Sequence, residues 1–154
     1  MDYKKEIIMG KNKNLIEARK AKNDEFYTRY EDIAKEVIHY KDKLEGRIVY
    51  CCCDDYRWSN FVKYFKDHFQ EYKLKKLIAT NYNIGDGAYK YEYDGVNETV
   101  EKLKFNGDFR SEECTKIKNM PGVVVITNPP FSLFREFIDW LREDERFAGE
   151  TSLW

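Results

Sequence analysis

The sequence predicts an α/β fold in which a parallel sheet is packed against helices and extended at one edge by a β-hairpin. Two apolar runs without alternation, 47–53 and 123–127, have the pattern of strands buried on both faces. The first run is followed by a helical pattern and by a second strand at 74–80. This order forms a βαβ unit, whose two strands are parallel. Alternation over 89–93 predicts the hairpin.

The first two helices are predicted from capping residues and from apolar side chains that recur every three or four positions. The first helix covers 31–44 and ends before Gly46. Its apolar stripe consists of Ile33, Val37, Tyr40 and Leu44. The second helix begins at Ser59 or Asn60, both of which are good N-cap residues. Its apolar stripe consists of Phe61, Phe65 and Phe69.

In the middle of the chain, tyrosines alternate with charged residues over 89–93, and Asp94 and Gly95 then give a tight-turn signal. We expect this hairpin to lie on the edge of the sheet. The tyrosine row is typical of a half-exposed strand, because aromatic residues favour strands. The alternative is that the tyrosines form a platform on which nucleic-acid bases stack.

Two further helices flank the second apolar run. Ser111 caps a helix that carries two glutamates in its first turn and ends before Pro121. The apolar run then leads directly into Asn-Pro-Pro-Phe at 128–131, and the last helix begins at Ser132. The apolar face expected for this last helix consists of Phe134, Phe137, Ile138 and Leu141.

The composition predicts one folded domain preceded by a basic arm. The 154 residues fit a single domain, and 27 Lys and Arg against 28 Asp and Glu leave a net charge of −1. This balance argues against a surface that is basic throughout, as in many nucleic-acid-binding domains, and leaves a local basic patch as the alternative. The most basic stretch is 1–22, which we interpret as a solvated helical arm, with phosphate contact as the alternative. Residues 23–154 form the domain.

Several classes of protein are excluded by the same residues. No apolar run is long enough to cross a membrane, and the residues that follow Met1 lack the pattern of a secretory signal. The four cysteines, 51–53 and Cys114, have neither the spacing of zinc ligands nor that of an ordinary local disulfide. We therefore expect reduced and mostly packed cysteines, no metal site and a cytoplasmic location.

The strongest chemical signal is Asn128, Pro129, Pro130 and Phe131 at the end of a buried strand. In an open α/β sheet, ligands bind outside the carboxyl ends of the strands. The two prolines fix φ and remove two N–H donors, so the loop presents carbonyl oxygens. With the Asn128 amide and the flat Phe131 ring, it suits an aromatic amine such as that of adenine. The alternative is a stiff strand exit with Phe131 in the core.

The tetrapeptide at 128–131 resembles the catalytic Asn/Asp-Pro-Pro-aromatic motif of amino-methyltransferases that use S-adenosylmethionine. Three more segments occur in the order found in one family: Asp-Glu-Phe-Tyr-Thr at 24–28, the strand and helix start at 49–61, and Gly-Asp-Phe-Arg-Ser at 107–111. Together with 128–137, they resemble the EcoRI-type adenine-specific DNA methyltransferases over most of the chain. A difference from many methyltransferases is that the first strand is not followed by a glycine-rich turn.

The resemblance implies a Rossmann-like, S-adenosylmethionine-dependent methyltransferase fold, of which 23–154 would be the N-terminal part with a β-hairpin insertion. It implies methylation of the N6 amine of a flipped adenine in double-stranded DNA. The catalytic residues that it implies are Asn128, Pro129, Pro130 and Phe131. The cofactor contacts that it implies are Asp24, Phe26, Tyr27, Thr28, Cys53, Asp54, Asp55, Asp108, Phe109 and Asn128.

Within that set, the resemblance implies distinct roles. Residues 24–28 would approach the methionine end of the cofactor, and 53–55 would form the floor of its site. Asp108 would accept the amino group of the cofactor's adenine, and Phe109 would pack on its face. Asn128 and the Pro129 carbonyl would hold the target amine, and Phe131 would stack on the flipped base. The alternative for Asp54 and Asp55 is helix capping alone, and for Asp108 a turn alone.

The family's sheet is larger than the one predicted here, so we expect a partial chain with low or no activity alone. The strand 123–127 would then lie at an edge and favour self-association or pairing with a second polypeptide. Two other functions remain open. One is a non-catalytic remnant or partner subunit that binds S-adenosylmethionine, and the other is a methyltransferase that acts on an amide nitrogen of a protein.

Overall fold

The computed structural model describes residues 28–143, which form a five-stranded mixed sheet packed against helices. The strands are Ile48–Cys51 (β1), Lys76–Thr80 (β2), Tyr89–Tyr93 (β3), Glu98–Lys102 (β4) and Val123–Val125 (β5). The helices are Tyr30–Val37 (α1), Lys41–Leu44 (α2), Asn60–Asp67 (α3), Glu112–Lys118 (α4) and Phe134–Arg142 (α5). Two 3₁₀ turns occupy Ile38–Tyr40 and Phe131–Leu133.

The sheet has the order β4-β3-β2-β1-β5, with β1 between its two parallel partners. Tyr50 in β1 pairs with Ile78 in β2 and with Val125 in β5. All residues of β1 are buried, which agrees with its apolar composition. The carboxyl ends of β1, β2 and β5 therefore lie along one edge of the sheet. The predicted α/β class and the βαβ unit are confirmed.

The first two helical segments follow the sequence closely. All four stripe residues of the segment 31–44 are buried, although a 3₁₀ turn divides the segment into α1 and α2. Ser59 caps α3, and its Oγ accepts hydrogen bonds from the N–H groups of Phe61 at 3.1 Å and Val62 at 3.3 Å. Ser111 caps α4 in the same way and accepts from the Cys114 N–H at 3.3 Å.

The hairpin of β3 and β4 extends the sheet beyond β2, as predicted. In its turn, Asp94 Oδ1 accepts the N–H groups of Val96 and Asn97, and Gly95 has a φ of +98°, which favours glycine. On the strand, the Tyr91 ring stacks on Tyr56 with 5.2 Å between the ring centres. Because Tyr91 is buried in this stack, the packing favours a structural strand over a platform for bases.

The helix α5 differs from the prediction in its start and in its buried face. Residues 131–133 form a 3₁₀ turn, so the α-helix begins at Phe134 and not at Ser132. Phe134 is 39% exposed, whereas Trp140, which was not predicted to be buried, is 3% exposed. The buried face consists of Phe137, Trp140 and Leu141, with Ile138 partly buried. The prediction of Phe134 on this face was wrong, because Phe134 is the first residue of the helix and the buried face is centred on Phe137, Trp140 and Leu141.

The four cysteines are free, and three of them are buried, while Cys53 is partly exposed. Over 28–143, no group of side chains has the arrangement of a metal site. No helix in this part of the chain combines the length and the apolar composition needed to span a membrane. The predicted basic arm, 1–22, lies outside the described residues, and so do Asp24, Phe26 and Tyr27.

Candidate active site

A cavity of about 560 Å³ opens at the carboxyl ends of the three parallel strands. Its lining includes Cys53 after β1, Asn81 after β2 and Asn128 after β5. Further lining residues come from 107–110 and from the loop that precedes α5. This is the place where open parallel sheets bind ligands, because loops from neighbouring strands converge there.

Asn128 is buried at this edge, and both ends of its amide are engaged. Its Nδ2 donates to Asp54 Oδ1, and its Oδ1 accepts a hydrogen bond from Thr28 Oγ1. Its backbone N–H donates to Asp54 Oδ2 at 3.1 Å. Pro129 and Pro130 line the cavity beside it, whereas Phe131 is partly buried outside the lining. The alternative that places Phe131 in the core does not match this position.

Asp54 lies behind the cavity and not in its lining. Besides the two Asn128 donors, its carboxylate accepts Ser59 Oγ at 2.7 Å and Thr127 Oγ1. Burial raises the pKa of the Asp54 carboxyl, although the hydrogen bonds from Thr127, Ser59 and Asn128 act in the opposite direction. All four donors to this carboxylate are uncharged groups of the protein. Three of them belong to Thr127 and Asn128, which follow β5, so the Asp54 side chain links the loop after β1 to the loop after β5.

Asp55, the next residue, holds an arginine at the rim of the cavity. Its Oδ1 accepts the backbone N–H and Nε of Arg57, both at 2.9 Å, and its Oδ2 accepts Nη2 at 2.6 Å. The Arg57 guanidinium lies 4.6 Å from the ring centre of Trp58. Asp55, Arg57 and Trp58 all line the cavity. Neither Asp54 nor Asp55 caps α3 directly, because Ser59 supplies the capping oxygen.

Asp108 and Arg110 form a second pair with the same geometry. Asp108 Oδ1 accepts the backbone N–H of Arg110 at 2.8 Å and its Nε at 2.9 Å, and Oδ2 accepts Nη2 at 2.8 Å. The hydrogen bonds from Arg110 lower the pKa of the Asp108 carboxyl below its ordinary value. The bond to the backbone N–H is a turn contact, so Asp108 is a turn residue that also lines the cavity.

The segment that carries Asp108 is held against the end of β2 by Gly107 and Phe109. Gly107 has a φ of +79°, and a Cβ there would lie 1.9 Å from the Asn81 carbonyl oxygen, so only glycine fits. Phe109 is buried between Phe137 and Trp140, with ring-centre distances of 5.4 and 5.2 Å. Phe109 therefore reaches the cavity from a rigid position in the core.

Asp55 and Asp108 can still accept a hydrogen bond from a ligand. A carboxylate offers about four acceptor positions, and each of these two uses three of them on its arginine. One position at Oδ2 remains in each case. A ligand with an amino or hydroxyl group therefore fits either carboxylate without breaking the arginine pair. The two free acceptor positions, with the nearby Phe109 ring, fit the amino and hydroxyl groups and the aromatic base of the adenosine part of S-adenosylmethionine.

Most of the predicted site residues meet at this cavity. Those that line it are Cys53, Asp55, Asp108, Phe109, Asn128, Pro129 and Pro130. Thr28 contacts Asn128. The lining also contains residues that the sequence did not predict, among them Arg57, Trp58, Asn81 and Arg110. The two arginines have a signal that could have found them, because an Asp-aromatic-Arg tripeptide occurs twice, each time shortly before a helix-capping serine.

The chain is similar in sequence to one known family and to several known proteins. The family model for the adenine-specific methyltransferase EcoRI matches residues 14–147. The type II methyltransferase M.EcoRI of Escherichia coli is 42% identical over 157 residues, which cover 88% of this chain and 47% of that protein. A type II methyltransferase of Mycoplasma genitalium is 44% identical over 124 residues, with 80% of this chain and 39% of its own length covered.

A third relative, the type II methyltransferase M.MpnI of Mycoplasma pneumoniae, is 43% identical over 126 residues. These residues cover 82% of this chain and 39% of that relative. The chain therefore spans less than half the length of the curated relatives that it matches. No solved structure gives a significant match.

Proposed function

This chain belongs to the EcoRI adenine-specific methyltransferase family, and on that premise we propose that it transfers a methyl group from S-adenosylmethionine to the N6 amine of a flipped adenine in double-stranded DNA. We further propose that residues 23–154 are the N-terminal part of a Rossmann-like methyltransferase domain. In this domain the hairpin β3–β4 is an insertion. The five-stranded α/β sheet with its ligand cavity at the carboxyl edge supports this assignment.

One observation carries the proposal. The groups suited to hold an aromatic amine, the Asn128 amide and the Pro129 carbonyl, share one cavity with Asp108 and Phe109. A methyltransferase needs this proximity, because the amine and the methyl donor must meet. When bound, S-adenosylmethionine supplies the methyl group. A loop that only stiffened a strand exit would not need to share a cavity with a carboxylate and an aromatic ring.

Different residues of the chain contact different parts of S-adenosylmethionine in this proposal. Asp108 Oδ2 accepts the amino group of the cofactor's adenine, and Phe109 packs on the adenine ring. Cys53 and Asp55 form the floor of the cofactor site, with the backbone of Asp54 beside them. On the methionine side, Thr28 and the preceding Asp24, Phe26 and Tyr27 complete the site. These roles follow from the family resemblance, and the presence of Cys53, Asp55, Asp108 and Phe109 in the cavity lining supports them.

The target adenine is held by the loop after β5. Asn128 Oδ1 and the Pro129 carbonyl accept the hydrogens of the target amine, Pro130 stiffens the loop, and Phe131 stacks on the flipped base. Flipping costs a few kcal/mol of unstacking, which these contacts offset. The reaction needs no strong base in this arrangement, because orienting the nitrogen lone pair toward the methyl carbon is a positioning effect.

Partners are expected at two places. Double-stranded DNA is the substrate of the complete protein. The strand β5 pairs only with β1 among the described strands, and its side chains are buried. A free strand edge recruits further strands, so we propose that the edge at 123–127 pairs with more polypeptide or with a second copy of this chain. A cytoplasmic location is also proposed, which the free cysteines support.

A second candidate function is binding of S-adenosylmethionine without methylation of DNA. It is considered because the chain spans less than half the length of the relatives that it matches. Calorimetric titration with S-adenosylmethionine and transfer of labelled methyl to duplex DNA separate the two functions. The proposed methyltransferase function requires binding and transfer in the wild-type chain, at whatever rate the short chain retains, and binding without transfer in Asn128→Ala. The exposed Lys116→Ala in α4 is the control and should change neither.

Each result of this experiment has a defined meaning. Binding without transfer in the wild-type chain would favour the non-catalytic function. Absence of binding at about 1 mM cofactor would contradict both functions. A second measurement of binding does not depend on activity, because Cys53 is the one cysteine of the four that is not buried. S-adenosylmethionine should slow its alkylation by iodoacetamide.

A further inference from the structure

We propose that Asp54 and Thr28 are positioning residues that hold the two ends of the Asn128 amide, so that its carbonyl oxygen is available to the target amine. The proposal rests on the proposed function, in which Asn128 accepts that amine. The observation behind it is a chain of buried contacts. Thr28 Oγ1 donates to Asn128 Oδ1, and Asn128 Nδ2 donates to Asp54 Oδ1. Asn128 lines the cavity, whereas Thr28 and Asp54 lie outside its lining.

The orientation of the Asn128 amide follows from the chemistry of Asp54. Four donors surround the carboxylate, two on each oxygen. The donors from Ser59 and Thr127 are hydroxyl groups, which can also accept. The two donors from Asn128, its backbone N–H and its Nδ2, can only donate. The amide nitrogen is therefore the end that faces Asp54 whether the carboxyl is ionised or protonated, because an acid proton can be directed at a hydroxyl oxygen.

The other end of the amide is fixed by Thr28. An amide oxygen can only accept, so the Thr28 hydroxyl must be the donor. Thr28 itself is buried, and its carbonyl oxygen accepts Asn60 Nδ2 at 2.7 Å at the start of α3. Because a carbonyl oxygen has two acceptor positions and Thr28 uses one, the second remains for the amine of the substrate.

This clamp connects all three parallel strands at their carboxyl ends. The Asp54 N–H donates to the Thr80 carbonyl at the end of β2 at 3.1 Å. The Thr127 hydroxyl, which contacts the Asp54 carboxylate, also accepts the Cys53 N–H at 2.8 Å. The catalytic loop is thus attached to the floor of the cofactor site by side chains. Precise placement of a catalytic group matters, because an error of about 1 Å costs on the order of 100-fold in rate.

Asp54→Asn is the sharpest test, because it changes the hydrogen-bond pattern and hardly changes the volume. The new amide nitrogen would replace either Oδ1 or Oδ2, and each of these faces an obligate Asn128 donor. We expect methyl transfer to DNA to fall about 100-fold in kcat. The KM for DNA and the affinity for S-adenosylmethionine should stay within about threefold of wild type.

A measurement of Asn128 itself makes the test independent of activity. In the NMR spectrum of the full 154-residue chain, the side-chain amide of Asn128 can be assigned by its loss in Asn128→Ala. We expect its protons to be shifted and protected from exchange in the wild type, since they face a buried carboxylate. Asp54→Asn should move the resonances and remove the protection.

Ser59→Ala is the matched control. Like Asp54→Asn, it removes a hydrogen bond to the Asp54 side chain. It also removes the N-cap of α3, so we expect its loss of stability to be comparable to that of Asp54→Asn. It leaves both Asn128 donors and their acceptors in place. The Asn128 resonances and kcat should therefore stay close to wild type. If Ser59→Ala lowered kcat as much as Asp54→Asn does, Asp54 would act only through stability and the proposal would be overturned.

Thr28 supplies a second, independent pair of variants in case Asp54→Asn does not fold. Thr28→Val removes the hydroxyl at nearly constant volume and should lower kcat about 10-fold, while Thr28→Ser keeps the hydroxyl and should restore it. Unchanged Asn128 resonances in both Asp54→Asn and Thr28→Val would overturn the proposal. If the wild-type chain transfers no methyl group, the proposed function fails, but the NMR comparison still decides whether the clamp exists.

Discussion

Two loops at the cavity, 54–59 and 107–111, contain the same local contacts but pack against different parts of the molecule. In each, an aspartate accepts three hydrogen bonds from the arginine two positions later, and an aromatic residue stands between them. Each loop ends in a serine that caps the next helix. The pattern is local, because every one of these contacts joins residues that are close in sequence.

The difference lies in what surrounds the two loops. Tyr56 in the first loop is partly buried and stacks on Tyr91 of the hairpin. Phe109 in the second loop is buried between two aromatic rings of α5, Phe137 and Trp140. The first loop also begins with Asp54, which is bonded to Asn128. The local sequence pattern thus determines the Asp–Arg pair. The tertiary neighbours determine whether the rest of the loop contacts the hairpin, the core or Asn128.

The largest expected effect concerns the two aromatic residues. Phe109→Ala should lower the free energy of unfolding by about 3–5 kcal/mol, because it leaves a cavity in the core beside Phe137 and Trp140. Tyr56→Ala should cost only about 1–2 kcal/mol, since its ring is partly exposed and loses mainly one stacking contact. Urea unfolding followed by fluorescence measures both. Equal losses would show that the two loops are anchored equally.

The next effect concerns the two carboxylates and S-adenosylmethionine. The Asp108 side chain is 22% exposed and that of Asp55 10%, so the remaining acceptor position of Asp108 is more accessible to a ligand. Asp108→Asn should weaken cofactor binding about 10- to 100-fold, the usual value for a hydrogen bond to a charged group. Asp55→Asn is the matched variant, with the same arginine contacts, and should weaken binding less. A larger loss in Asp55→Asn, measured by calorimetry, would reverse the assignment.

The smallest expected effect is on the pH dependence of stability. The lowered pKa of Asp108 gives a stabilising contribution that is present above the unfolded value near 3.8 and is lost as the pH falls through the folded value. The raised pKa of Asp54 acts with the opposite sign, and its contribution is lost as the pH rises through its folded value. Asp108→Asn should therefore make the Tm less sensitive to acid below about pH 4.

A thermal scan series between about pH 3 and pH 6 checks this difference. Asp55→Asn is again the comparison, since it removes a carboxylate with the same kind of partner. If Asp108→Asn and the wild type lose stability in parallel as the pH falls, the Arg110 pair contributes nothing to folding, as is common for exposed ion pairs.

Elements that depend on nearby residues were predictable from the sequence. The caps Ser59 and Ser111, the hairpin turn at Asp94 and the parallel strands all match, because each is set by local chemistry or by a continuous apolar run. The buried face of α5 was not predictable in the same way. Phe134 is the first residue of the helix and is exposed, whereas Trp140 is buried, and this depends on which part of the helix packs against Phe109 and the sheet.

The sequence led to several residues that line the cavity, but it did not predict their contacts. The resemblance placed Asp54 and Asp55 together in the floor of the cofactor site. In the fold, these neighbours point to different partners, since Asp54 contacts Asn128, which is 74 positions away, and Asp55 contacts Arg57. Such a separation depends on how β5 aligns with β1. No pattern within the loop itself records that alignment.

The pairing of β1 with both β2 and β5 has a consequence for ligand size. Neighbouring strands lie about 4.8 Å apart, so the loops that follow β2 and β5 leave the sheet about 10 Å from each other. Backbone hydrogen bonds, and not side chains, hold this separation. A molecule that contacts both Asn81 and Asn128 must bridge it. The sheet therefore sets the minimum length of such a ligand. Substitutions of cavity side chains can change which ligand binds, but they do not change the distance between these two loops.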